Sequence, residues 1–383
     1  MPHQNTVLHD LLKHIPWARF EAIIKAHCTD AGRSLTTRTH FLAMLYGQLC
    51  GAGGLRETVE SLASHQASLY HLGMMAVPRS TLAEANRYRP YGVFSEMLAA
   101  LMAQAHRGLR HKVAESIRRI DSTSVSLSNL SARWAQFSVG VCGAKVHVVH
   151  DPDADCPVYA GVTASNVNDI TAAHAMQITA GATYVFDLGY YDYGWWAQLH
   201  EAGCRIVTRF KTNTPLTVTE VRPVPAAGPI LSDRIGTLPI RLAINRKNAF
   251  SAPVREIRVR IETGKVLRIL TNDIQSSAQE IADLYKRRWA IELFFRWIKQ
   301  NLKIQKFFGT TENAVRIQVA VALMAFLLLR LAQAAQTVIE SPLTFARLVR
   351  ANLLHRRPIN RLNQPPPKPP RNADQLEIQW GAA

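Results

Sequence analysis

Ile117–Leu127 reads IRRIDSTSVSL, and here the chain turns from helical to extended texture. AKVHVVH (144–150), PVYAGVTA (157–164) and TYVFDLG (183–189) continue as short runs rich in β-branched residues, broken by turn formers such as DPDADCP (151–157). Branched side chains lose little on a pleated surface, so these runs predict strands. NVNDITAAHAMQITA (166–180) predicts a helix capped near Asn168 or Asp169, DYGWWAQLHEAG (192–203) a second helix, and RIVTRF (205–210) a further strand. Three hairpin-linked strands followed by strands alternating with helices predict an α/β fold, a mixed sheet covered by helices.

Upstream, the first hundred or so residues predict helices. Phe41, Met44, Leu45 and Leu49 recur at helical spacing, and GAGG (51–54) predicts a helix-to-helix turn; no GK[ST] follows to make it a phosphate loop. In PRSTLAEANRYR (78–89), Thr81 and Glu84 fit an S/T-x-x-E capping box opening a helix with Asn86, Arg87 and Arg89. That is the form of a DNA-reading helix and equally of an ordinary surface helix. Downstream, TPLTVTEVRPVPAAGPI (214–230) is rich in Pro, and REIRVRIETGKVLRILTN (255–272) predicts a hairpin around Thr263–Gly264, together a β-rich insertion. Asp151, Asp153 and Asp155 imitate a calcium loop, but Cys156 and Val162 stand where Gly and Glu are needed, so a polar turn is expected.

Tyr285–Lys299, YKRRWAIELFFRWIK, predicts a basic, aromatic helix with Glu292 its one acid. Tyr285, Arg288, Glu292 and Lys299 then fall within roughly 60° of arc on one face. A carboxylate ringed by cations suits a metal ion held beside a nucleic-acid phosphate. Two more acids stand in extended context: Asp121 before STS, and Asp187 at the end of TYVFD. Singly, each fits a turn or cap. On neighbouring strands with Glu292 packed against them they would form a three-carboxylate pocket whose mutual repulsion a divalent ion relieves. Two Mg²⁺ ions roughly 4 Å apart could then serve an in-line displacement at phosphorus.

The 383 residues carry 45 Lys plus Arg against 28 Asp plus Glu, a net charge of +17, which favours a polyanionic partner. Val319–Leu329 (VAVALMAFLLL), closed by Arg330, is too short to span a bilayer and predicts a buried core helix, so no membrane partner is expected. The N-terminus lacks a signal-peptide pattern and the five cysteines form no CxxC pair, which favours a cytoplasmic, reduced setting.

DST at Asp121, DLGYYD at Asp187 and the Y-x2-R-x3-E-x6-K spacing of Tyr285, Arg288, Glu292 and Lys299 resemble the three catalytic motifs of insertion-sequence transposases of the IS-four group. The resemblance runs from Asp121 to Lys299. It implies an RNase H-like mixed-sheet core interrupted by the β-rich insertion, behind an all-α N-terminal DNA-binding domain. It further implies Asp121, Asp187 and Glu292 as ligands of two Mg²⁺ or Mn²⁺ ions, with Tyr285, Arg288 and Lys299 gripping the DNA phosphates. Arg87 and Arg89 are DNA-binding candidates. Trp195, beside Trp196, is a candidate to stack a flipped base, or else a core residue. Lys145 and His147 in GAKVH match the family's second core strand without a catalytic role. The expected domains are 1–112 (helical, DNA-binding), 113–210 (core, first part), 211–274 (insertion), 275–340 (core, second part) and 341–383 (basic, Pro-rich tail). The implied activity is cleavage and transfer of DNA at terminal inverted repeats by a homodimer, at the nucleoid. A nuclease without strand transfer and a catalytically silent DNA binder are the alternatives.

Overall fold

The computed structural model describes residues 5–27, 30, 33–110, 116–243, 246–302, 304 and 306–365. Helices come first: α1 (Val7–Leu12), α2 (Trp17–His27), α3 (Thr37–Cys50), α4 (Leu55–Ser64), α5 (Gln66–Leu69), α6 (Arg79–Tyr88) and α7 (Tyr91–Leu109). The GAGG turn forms as expected: Gly51 closes α3 in the left-handed conformation, φ 75°, which glycine adopts without a Cβ penalty. The capping box does not form. α6 starts at Arg79 behind Pro78, with no side-chain cap, so Thr81 already lies inside the first turn; a proline needs no amide partner and its fixed φ marks the start instead.

The extended region contains β1 (Ile117–Leu127), a one-turn helix α8 (Ala132–Ala135), β2 (Gln136–Ser138), β3 (Val141–Asp151) and β4 (Cys156–Ala164). There follow α9 (Asp169–Ala173), β5 (Thr183–Val185), α10 (Tyr193–Glu201) and β6 (Arg205–Arg209). β1, β3 and β4 make an antiparallel meander, whereas β5 pairs parallel to β1 and β6 parallel to β5. The insertion supplies β7 (Thr217–Arg222), β8 (Ile230–Thr237), a small ribbon β9 (Arg241–Ala243) and β10 (Arg246–Lys247), β11 (Val254–Arg260) and β12 (Val266–Thr271). Because β12 pairs with β6, and β11, β8 and β7 follow in turn, the insertion widens the central sheet to ten strands instead of standing apart. The hairpin between β11 and β12 turns at Gly264, φ 79°, as the Thr263–Gly264 spacing predicts.

Among the described residues, three apolar clusters clothe this mixed α/β sheet. Val125, Ala144, Val146 and Val148 join the N-terminal helices in one core. Ile120, Tyr184 and Phe186 pack against α10 on the opposite face. Val185, Val207, Ile257 and Ile269 meet α11 (Ala278–Lys286). The expected single helix over Tyr285–Lys299 is broken: α11 ends at Lys286, Arg287–Trp289 is a 3₁₀ turn, and α12 runs Ala290–Asn301. Ideal 3.6-residue periodicity is therefore interrupted between Tyr285 and Glu292. α13 (Glu312–Ala334) is long and apolar enough to cross a membrane by composition, yet its most apolar window is 83% buried within the fold, as a core helix should be. The tail begins as α14 (Pro342–Asn352), which buries Phe345 and Val349 beside α13, α1 and α3. Its first part is thus packed structure, and PPPKPP lies almost wholly outside the described residues.

Candidate active site

Asp121 sits within β1, and Asp187 lies two residues past the end of β5, capping the turn that follows. The parallel register of β1 and β5 ends with Arg119 opposite Val185, and two residues further on Asp187 is near enough to act on the Asp121 charge. Each carboxylate is held by a nearby amide: Ser122 N–H donates to Asp121 Oδ1 at 2.8 Å, and Gly189 N–H to Asp187 Oδ1 at 2.8 Å. Glu292 arrives from the first turn of α12. Arg288, in the 3₁₀ turn, links the sets: its Nη1 donates to Asp121 Oδ2 at 2.8 Å and its Nη2 to Glu292 Oε1 at 2.7 Å. Tyr285 stands against Arg288, largely buried, and Lys299 donates from its Nζ to the Ser124 carbonyl of β1 at 2.7 Å. The helical break thus leaves all four side chains of the segment turned toward β1 and β5.

Burial pushes the Asp121 carboxyl up to about 6; Arg288 and the Ser122 amide oppose the rise, and Asp187 and Glu292 add to it. Burial also works against the Arg288 charge, but Tyr285, Asp121, Glu292 and Asp187 outweigh it and hold the guanidinium above its ordinary range. Burial lowers Lys299 and raises the Tyr285 phenol. Among the described residues no three His, Cys, Asp or Glu side chains converge closely enough to hold a metal ion by themselves, for the guanidinium stands between Asp121 and Glu292. The donor set still fits a hard divalent cation, being all carboxylate, with an Asp121 charge that burial disfavours and that Asp187 and Glu292 disfavour further.

Other expected residues fare differently. Trp195, 2% exposed, packs between Tyr184, Phe186 and Tyr190. It is therefore core, because an indole so enclosed offers no face to a base. Arg89 is buried and hydrogen-bonds the Leu35 carbonyl, which takes it from the surface, while Arg87 is exposed beside Tyr88. Asn86 is buried against His40. In the 151–157 turn, Asp151 is more than a turn former: it is buried and accepts from His106 at 2.8 Å and Arg118 at 2.6 Å. Asp169, expected only near a helix cap, accepts from Ser122 Oγ at 2.9 Å and Lys145 Nζ at 3.1 Å. No spacing in the sequence announces that contact, since it joins three separate elements.

A family described as "Transposase DDE domain" matches residues 113–328, and a "Domain of unknown function (DUF4372)" matches residues 3–75. A protein of Sinorhizobium fredii named as transposase y4zB is 41% identical over 289 residues, covering 76% of this chain and 81% of that protein. A protein of Geobacillus stearothermophilus, named as a transposase for insertion sequence element IS5377, is 29% identical over 280 residues, 70% of this chain and 73% of its own. Among solved structures, the piggyBac transposase synaptic complex with hairpin DNA aligns with a TM-score of 0.46 and 9% identity, over 91% of this chain and 80% of that one.

Proposed function

The chain belongs to the transposase DDE domain family, the insertion-sequence DNA transposases that cleave and join strands with divalent metal ions, and from that premise we propose that Asp121, Asp187 and Glu292 are its catalytic acids. The observation that carries this reading is the Arg288 bridge from Asp121 to Glu292, with Asp187 two residues past β5, the strand parallel to β1. The strand order β4–β3–β1–β5–β6, antiparallel then parallel, supports an RNase H-like core. Asp121, Asp187 and Glu292 would hold two Mg²⁺ or Mn²⁺ ions.

When bound, the ions supply Lewis acidity toward the scissile phosphate and the attacking hydroxyl. The protein's own part is positional. The Ser122 and Gly189 amides fix one oxygen of each aspartate, and Arg288 holds the other oxygen of Asp121. Arg288, released from its carboxylates, turns a fork of donors to the DNA phosphate, and Lys299 and Tyr285 hold the strand on either side. Pinning the phosphate removes the orientational part of the barrier. The DNA is the element's terminal inverted repeats and then its target, and two protomers bring two ends together. The helical region 1–112 contributes DNA contacts through Arg87 on the exposed side of α6, and the protein works in the cytoplasm at the nucleoid. Regions 113–210 and 275–340 act as one catalytic core around the 211–274 insertion.

Replacing Glu292 by Gln keeps an acceptor for Arg288 but removes a charge from the ion site. Cleavage of end DNA in Mg²⁺ should drop by at least about 10³-fold while band-shift affinity stays within a few-fold. Parental cutting by this variant would refute the assignment.

A further inference from the structure

Asp169 lies behind the acid pair, on the sheet face opposite α11 and α12. β1 alternates, so Asp121 points toward Arg288 while Ser122 points the other way, beside its partner His147. There the Ser122 hydroxyl donates to Asp169 Oδ1 at 2.9 Å. The second oxygen, Oδ2, abuts Gly189: a Cβ built on that glycine would meet Asp169 Oδ2 at 2.9 Å and Asp187 Oδ1 at 3.1 Å. Ser122 and Gly189 are the two residues whose backbone amides hold the carboxylates of Asp121 and Asp187. One side chain is therefore hydrogen-bonded to the first of these residues and lies beside the second.

Asp169 is itself fixed. Lys145 Nζ donates to Asp169 Oδ1 at 3.1 Å and to the Val167 carbonyl at 3.0 Å, so the lysine ties β3 to the turn that precedes α9. The pair is about four-fifths shielded from solvent. His147 Nδ1 lies 3.8 Å from the same oxygen, and burial holds its imidazole down at about 4. Burial keeps the hydroxyl of Tyr190, next to Gly189, above the ordinary phenol range, and Asp169, Asp121 and Asp187 add to the rise.

Taking the acid pair as the ion site, we propose that Asp169, clamped by Lys145, is a positioning residue that braces Ser122 and Gly189 and thereby sets how Asp121 and Asp187 present their oxygens to a divalent ion. It contributes no ligand. Its role resembles that of outer partners that orient first-rank metal ligands, whose loss costs roughly 10- to 100-fold in metal affinity.

The test measures Mn²⁺ binding to the full chain by the loss of the free-ion electron paramagnetic resonance signal, alongside end cleavage and the unfolding temperature in chelator. Asp169→Ala and Ser122→Ala should each bind Mn²⁺ about 10- to 100-fold more weakly than the parent and cut correspondingly slower. Ser122→Ala, which removes one hydroxyl, should keep its unfolding temperature, and Ser122→Thr, which retains a hydroxyl, should restore binding. The double Asp169→Ala, Ser122→Ala variant should be no weaker than Asp169→Ala alone, since both act through one contact. Should Asp169→Ala fail to fold, Ser122→Ala decides. Asp121→Asn is the control for the site itself. If it abolishes Mn²⁺ binding while Asp169→Ala and Ser122→Ala bind within twofold of the parent, the brace is wrong and the site stands. If Asp121→Asn binds like the parent, the site reading falls and the brace with it.

Discussion

Asp121 illustrates how one residue carries both a cost and a use. Burial, and then Asp187 and Glu292, push its carboxyl up to about 6 against the help of Arg288 and the Ser122 amide. A folded carboxyl above its ordinary value of 3.8 binds its proton more tightly than the unfolded chain does, so ionisation weakens the fold as pH rises through about 4 to 6. In chelator, the stability difference between parent and Asp121→Asn should shift in the parent's favour by about 1 kcal/mol from pH 7 to pH 5. Paired thermal unfolding curves measure it; a difference constant with pH would place Asp121 in an ordinary environment. A bound cation would remove the same penalty, and this strain is what makes the position a candidate ligand instead of a structural acid.

At the scale of elements, the insertion is tied to the helix that bears Tyr285. Arg255 on β11 makes two bonds to Asp233 on β8, at 2.8 and 2.7 Å, both residues being buried, and also reaches the Ser276 carbonyl just before α11. Removing one member of a buried ion pair strands the other, so Asp233→Ala should cost roughly 3–5 kcal/mol, read as a fall in the denaturation midpoint. A loss under about 1 kcal/mol would mean that Arg255 finds other acceptors without strain. The hairpin of β11 and β12 was legible from its alternation and its Thr-Gly turn, because both are local properties of the chain. Its pairing with β6 was not, since strand partners across the sheet are chosen by tertiary packing. The break at Arg287–Trp289 was equally hidden, for every residue there tolerates an α-helix.

For the whole molecule, charge and core tell different stories. The excess of +17 predicts DNA affinity dominated by phosphate neutralisation. With six to ten phosphate contacts, binding to end DNA should weaken on the order of 10³- to 10⁵-fold between roughly 50 and 200 mM salt. A nearly flat titration would argue that the basic side chains are spent internally, as Arg89 and Arg350 are. The acids and their cations could be read from the sequence because charged residues in apolar or strand context are conspicuous. Trp195 and Arg89 could not be placed, because amphipathic side chains suit core and surface alike and only three-dimensional packing decides between them. Asp169 stayed hidden for a related reason: its meaning lies in contacts to β1 and to the turn after β5, both remote in sequence.

The proposed catalytic unit is three acids, from β1, from the segment after β5 and from α12. Single-turnover cleavage of a duplex carrying the element's own terminal repeat, in Mg²⁺, tests that directly with Asp121→Asn, Asp187→Asn, Glu292→Gln and the triple variant, each first shown to bind the duplex. The predicted result is that every single variant loses cleavage as completely as the triple, the non-additivity of groups that work together. Parental cleavage by any one of the three single variants would contradict it.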